Sequence, residues 1–332
     1  MVRAGWRAGY SGREADAFIS QENVIPYSVL VRRYLHFFGG TWIHEKYEIA
    51  CCRGVVECGL PEDRLEIYAM QQIDFYMIDA FSNTTFGGNA AAVCPLTEWL
   101  PDETLLKMAQ QHNQSETAFF VANDTGFELR WFTSLAEINL CGHATLAAAH
   151  VIFEHLDYPG STIHFATRFV GPLTVVRNDK WLTLDFPAWE TKPVMPPALL
   201  LDTLGITECK EVRVARDYLV VMENRQQVET VRPNINGMLP LGKMVCITAP
   251  GDGEYDFVSR FFCPGEAVAE DPVTGSAHSM LIPYWAEKLN KTQMLAHQGL
   301  ERGGDLRCQL VGDRVYIGGQ ATTYLIGKVL LR

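Results

Sequence analysis

Two short passages of this chain share one spacing. Phe127, Arg130 and Phe132 in the segment FELRWF return as Phe257, Arg260 and Phe262 in FVSRFF. A loop follows each passage, and then a small-residue turn that opens a helix. The first turn is CGHAT, Cys141 to Thr145; the second is TGSAH, Thr274 to His278, three residues later in register. A strand, a loop and a glycine-opened helix, written twice, constrain the fold to two pseudo-symmetric halves, although two copies are too few for a repeat array. Two helix N-termini are then expected to face one shared cleft. Their unpaired N–H groups and partial positive charge suit carboxylates and similar anions.

The 332 residues are enough for two domains. An apolar content of 48% with 20% charged residues describes an ordinary globular protein. The net charge of −11, with no run of Lys or Arg, argues against nucleic acid as a partner, because that requires a basic face. No apolar stretch reaches the length of a membrane span, so no membrane partner is expected. The first residues lack the apolar core and cleavage site of a secretory signal. The nine cysteines, at 51, 52, 58, 94, 141, 209, 246, 263 and 308, are odd in number and form no CxxC pair. Neither a disulfide framework nor a zinc site is expected, and a reducing cytoplasm is the expected location. The nine histidines show no HExxH or paired ligand spacing, so no metal is implied.

Residues 1–69 carry no sustained period; only 24–38 and 42–56 could form short elements. From Met70 the pattern changes. Alternating apolar positions over 71–81 predict a strand, and Phe86, Gly87, Gly88 and Asn89 predict a turn. Met70 is read as the natural start and 1–69 as an upstream extension, with a poorly ordered leader as the alternative; Glu14 and Asp16 argue against a transit peptide. Helices are expected from Pro101 to Asn113, over 142–155, over 199–205 and over 275–289, the last kinked at Pro283. The 142–155 helix is apolar nearly all round and is expected to be buried. The proline-rich segment 187–197 is read as a linker. It separates a first domain at 70–187, to which a final strand at 322–332 returns, from a second at 195–321. The inferred architecture is two small sheets, each curled around one apolar helix.

Several residues could carry chemistry. Glu116 lies between a helix end and an apolar strand, where apolar neighbours push a carboxyl pKa upward, as a general acid/base requires. An exposed Glu at a strand edge is the plainer reading. Asp271 and Ser276 either cap the second helix or touch a substrate. His143 opens the first helix, whose positive end favours a neutral imidazole suited to proton relay or to a structural hydrogen bond. Cys141 precedes the same helix, where a thiolate is stabilised; it is a candidate base or a buried small hydrophobe. The chain has no GxSxG elbow, so a Ser-His-Asp hydrolase is not expected. The Gly87, Gly88, Asn89 turn lacks the Lys and Ser/Thr of a phosphate loop.

Over about 70–332 the chain resembles the PhzF-like isomerases of phenazine biosynthesis. The resemblance is carried by Asp79 to Phe81, FGGNAAAV at 86–93, Ser115 to Thr117, CGHAT at 141–145, LTLDFP at 182–187 and DPVTGSA at 271–277. It implies the diaminopimelate-epimerase-like α+β fold, two similar domains that are each a barrel-like sheet around a central helix, with the active site between them. The family's catalytic Glu falls on Glu116, its supporting His on His143, and its Asp and Ser on Asp271 and Ser276. Gly142 and Gly275 fall at the helix openings that face the substrate carboxylate. The resemblance implies no cofactor, no metal, a small anionic substrate and a homodimer. The implied reaction is proton transfer: Glu116 takes a proton from a carbon activated by conjugation and returns it elsewhere. One alternative is an amino-acid racemase or epimerase that pairs Cys141 with Glu116; Thr274 stands at the second helix start, and its hydroxyl is far too weak an acid for a two-thiol mechanism. Another is a non-catalytic binding or scaffolding protein on the same fold. Ala90 and Ala144 stand where proline is frequent in the family, which alters loop rigidity and removes no chemical group.

Overall fold

The computed structural model describes residues 30–38, 41–51, 54–58, 71–266 and 268–331. The chain divides into two units near Gln71. In the first, Leu30–Phe38, Thr41–Cys51 and Gly54–Cys58 form an antiparallel three-stranded sheet. The expected start at Met70 lies outside the described residues.

The second unit, Gln72–Leu331, holds the two halves. The first half comprises β1 (Gln71–Ala80), β2 (Asn89–Leu96), α1 (Asp102–His112), β3 (Thr117–Asn123), β4 (Gly126–Phe132), α2 (Gly142–His155), β5 (Thr162–Thr167), β6 (Leu173–Asn178) and β7 (Trp181–Pro187). The second comprises α3 (Ala198–Leu204), β8 (Glu211–Val214), β9 (Tyr218–Val221), α4 (Arg225–Thr230), β10 (Val245–Pro250), β11 (Phe257–Phe262), α5 (His278–Leu289), β12 (Gln293–Gly299), β13 (Gly303–Val311) and β14 (Arg314–Gly319). A last strand, β15 (Ala321–Leu331), lies beside β1.

Pairing runs β1 to β7 in order, crosses from β7 to β14, and continues β13, β12, β11, β10, β9, β8. The order is palindromic in direction as well. The parallel pairs β2–β3 and β4–β5 of the first half correspond to β9–β10 and β11–β12 of the second. A parallel pair needs a crossover, and helices supply it. The crossover between β4 and β5 contains α2; that between β11 and β12 contains α5.

The repeated Phe-Arg-Phe spacing has a physical basis. Arg130 lies 5.1 Å from the Phe132 ring and is bidentate to Glu137, at 2.7 and 2.8 Å. Arg260 lies 5.0 Å from Phe262 and is bidentate to Glu270, at 2.7 and 2.9 Å. Each glutamate sits four residues before the residue that precedes its helix, Cys141 or Thr274. The same clamp therefore aims both helix starts.

Both central helices are core. In α2 every residue from Gly142 to Ala149 is buried, so it is wrapped on all sides, as its apolar circumference requires. The second helix differs from expectation at its start: its first turn, Gly275–Ala277, is 3-10, and the α-helix begins at His278. The helix continues through Pro283. Proline has no N–H for the carbonyl four residues back, and that carbonyl, on Ser279, instead accepts the Trp189 N–H at 2.8 Å. The segment read as a linker is thereby pinned to the helix.

Candidate active site

The helix starts meet glycine to glycine. A Cβ on Gly142 would lie 3.0 Å from Gly275 Cα, and one on Gly275 would lie 3.2 Å from Gly142 Cα. Larger residues would force the starts apart. Both glycines line one cavity of about 250 Å³, and so do Glu116, Cys141, His143, Asp271 and Ser276. Every site residue expected from the sequence therefore reaches the same space.

Glu116 enters from the connection before β3. Its Oε2 lies 3.1 Å from His143 Nε2 and is sealed from solvent. Ser115 Oγ lies 3.2 Å from the same His143 nitrogen. From the other half, Asp271 accepts hydrogen bonds from Asn89 Nδ2 and from Thr274 Oγ1. Gln298 locks that corner, donating to Asp271 O at 3.1 Å and accepting from Thr274 N at 3.0 Å. Neither Asp271 nor Ser276 caps the helix; Ser276 Oγ accepts from Arg216 Nη1 at 3.1 Å.

The charges differ from the sequence reading. Burial is the largest influence on Glu116 and raises its pKa, but the neighbouring His143, with hydrogen bonds from His143, Ser115 and Cys141, brings the net value below the ordinary one. Burial likewise opposes a charged His143, yet Cys141 and Glu116 beside it lift its pKa well above the usual range. The expected raised Glu and neutral His are replaced by an ion pair, because each supplies the other's counter-charge in a buried site. Asn89 Nδ2 lies within hydrogen-bond reach of Asp271, of Val273 O at 3.1 Å and of His143 Nδ1 at 3.0 Å, and Cys141 Sγ lies 3.4 Å from the same ring nitrogen. Cys141 is also corrected: burial pushes its thiol up to about 11, overriding the helix end. Asp271 is raised to about 6, by burial first, and is opposed by His143.

Glu116, Cys141 and His143 offer three ligand atoms within 4.8 Å of one another. To bind an ion, Cys141 and His143 would each have to give up a proton.

Three site residues were missed in the sequence. Ser115 is adjacent to Glu116 and looked like a strand lead-in. Arg216 lies in an undistinguished turn. Asn89 was read as part of a turn, but it opens β2. Gly88, at φ +59°, has no room for a Cβ, which would lie 2.1 Å from Ala80 O. Its N–H donates to Gly303 O at 2.7 Å, and Arg302 donates to Gly88 O while pairing with Asp79. This clamp delivers Asn89 to His143 in one half and Asp271 in the other. The readable signal was a polar residue between a glycine pair and an apolar run.

The family profile described as phenazine biosynthesis-like protein matches residues 78–327. The chain belongs to this family. It is 45% identical over 261 residues to an uncharacterized isomerase of Pseudomonas aeruginosa, covering 78% of this chain and 100% of that protein. It is 36% identical over 286 residues to the human phenazine biosynthesis-like domain-containing protein, covering 78% and 99%. The solved PhzF-family structure from Enterococcus faecalis superposes with a TM-score of 0.76 at 40% identity, covering 79% of this chain and all of that one. A hydroxyproline epimerase from Agrobacterium vitis shares the fold at 11% identity, with a TM-score of 0.52 over 78% of this chain and 93% of that one. The protein is thus an isomerase of the PhzF family with the α+β fold expected. Among the described residues no helix is long and apolar enough to cross a membrane.

Proposed function

We propose that the protein is a cofactor-independent isomerase that moves a proton on a small carboxylate-bearing substrate, with Glu116 as the general acid/base. The observation that carries this reading is the Glu116 side chain: a buried carboxylate that lines the cavity and is paired through Oε2 with His143 at 3.1 Å. It starts ionised, which is the proton-accepting form. A proton taken from a substrate carbon neutralises it, and burial, the largest influence on this group, favours the neutral state. The substrate's electron pair moves through its conjugated system, and Glu116 returns the proton to a second carbon. His143 holds Glu116 in place and balances its charge. Asp271, through Asn89, ties that pair to the second helix start and stands ready to relay a proton. The N–H groups at Gly142, Gly275 and Ser276 hold the carboxylate. The namesake substrate, a dihydro-hydroxyanthranilate, is the first to try.

A Cys141-dependent epimerase is the competing chemistry. A buried thiol with its pKa pushed up to about 11 is a poor base near neutrality. Rates for Cys141→Ser and Glu116→Gln separate the two. The proposal expects Cys141→Ser to keep most activity and Glu116→Gln to lose about 100-fold or more; the opposite order would transfer the role to Cys141. The reading includes a reducing, cytoplasmic setting and a homodimer, for which the exposed Phe86 and Tyr324 rings, 5.6 Å apart, offer an apolar face. A solution mass equal to one chain would remove the dimer.

A further inference from the structure

Arg216 is the one lysine or arginine among the described residues that line the cavity. Its surroundings are acidic, for Glu116, Asp217, Glu266 and Asp271 line the same space. An anionic ligand entering there meets more negative than positive groups unless one wall is built against that field.

Arg216 is held like a recognition group. Its Nε donates to Asp217 Oδ2 at 2.7 Å, and its Nη1 donates to Ser276 Oγ at 3.1 Å. Nη2 lies 2.5 Å from the same Asp217 oxygen, and that aspartate side chain is only 5% exposed. The guanidinium carbon sits 4.8 Å from the Trp189 ring. Trp189 is itself fixed through its N–H bond to Ser279 O, the carbonyl that Pro283 leaves free. Lys243 Nζ donates to Arg216 O at 2.7 Å and to Ala215 O at 3.3 Å, which holds the turn. A guanidinium has five N–H donors. Three are engaged, two remain, and Ser276, which accepts from Arg216, still has its own O–H to give. Planar, pre-oriented donors of this kind match a carboxylate.

We propose that Arg216, with Ser276, is the specificity-determining anchor for the substrate carboxylate, seating it at the second helix start so that the reacting carbon faces Glu116 and His143 of the first half. This deepens the proton-transfer reading and rests on it. Asp217 neutralises Arg216 enough to keep it from locking onto Glu266 or Asp271, while leaving two donors for ligand.

The test is calorimetric titration of the full chain with 2-aminobenzoate and with its uncharged analogue 2-aminobenzamide, using native protein, Arg216→Lys and Arg216→Gln. The native protein is expected to prefer the acid. Arg216→Gln should weaken the acid by about 10- to 100-fold, the range for loss of a charge-assisted hydrogen bond. Arg216→Lys should fall between them, and the amide should bind all three alike. Equal losses for acid and amide would mean a merely structural role and would overturn the proposal. So would an unchanged acid affinity in Arg216→Gln, or no preference for the acid in the native protein, whether both ligands bind or neither does. Proton exchange in Glu116→Gln is read separately, so a failed anchor leaves the base assignment standing, and a failed base leaves the acid preference standing.

Discussion

Asp271 and Glu116 are pushed in opposite directions, and their pH signatures differ accordingly. Asp271 has its folded pKa raised to about 6, from the ordinary 3.8. Its contribution to stability is full below the unfolded pKa and is lost as pH rises through the folded one. Glu116 has a lowered pKa, so its contribution is present above 4.5 and lost as pH falls through its folded value. Asp271→Asn should therefore gain in thermal stability relative to the native protein as pH is raised from 4 to 7, with the difference levelling above about 6. A variant that instead loses stability relative to the native protein across that range would refute the raised pKa. The family resemblance singled out Glu116, His143, Asp271 and Ser276, and the structure gathers all four at one cavity. Their charges were not legible in the sequence, because a counter-charge such as His143 against Glu116 comes from residues distant in sequence, and so do the Asn89 bridge and the Arg216 contact.

At the scale of elements, the two helix starts depend on mutual close approach. Gly142→Ala places a methyl 3.0 Å from Gly275 Cα, where the opposing atoms are backbone and cannot swing aside. It should cost about 1–3 kcal/mol by overpacking and lower activity further by widening the gap between the helix starts. Thermal melts of Gly142→Ala and of an exposed-helix control check this; an unchanged melting temperature would contradict the contact. The Phe-Arg-Phe echo disclosed the duplication because the clamp it encodes is local: each arginine finds its glutamate 7 or 10 residues on. Elements without such a signal were missed. β2 reads NAAAVCPL, too rich in alanine to announce a strand, and β12 reads QMLAHQG, whose polar positions mask its alternation. The 3-10 first turn before α5 was likewise invisible, since glycine-opened starts look alike in sequence.

Considered whole, the Gln72–Leu331 unit is two copies of one motif with unlike residues at equivalent places. Cys141 and His143 in the first half stand where Thr274 and Ser276 stand in the second. On the proposed reading the first half holds the proton-handling pair and the second the polar anchor, so neither half contains a complete site. A ligand that bridges them should stabilise the unit: at a hundredfold excess over its Kd the gain is about 2.7 kcal/mol. Small ring carboxylates should raise the melting temperature more than their carboxamides, whereas a scaffolding protein would show no shift with either. The central claim, that Glu116 moves the proton, is tested most directly by proton NMR in D2O of the full chain with a dihydro-hydroxyanthranilate, native against Glu116→Gln. Isomerisation with deuterium uptake by the native protein is expected, slowed by about 100- to 10,000-fold in a variant that melts normally. Near-native exchange by Glu116→Gln would contradict the claim.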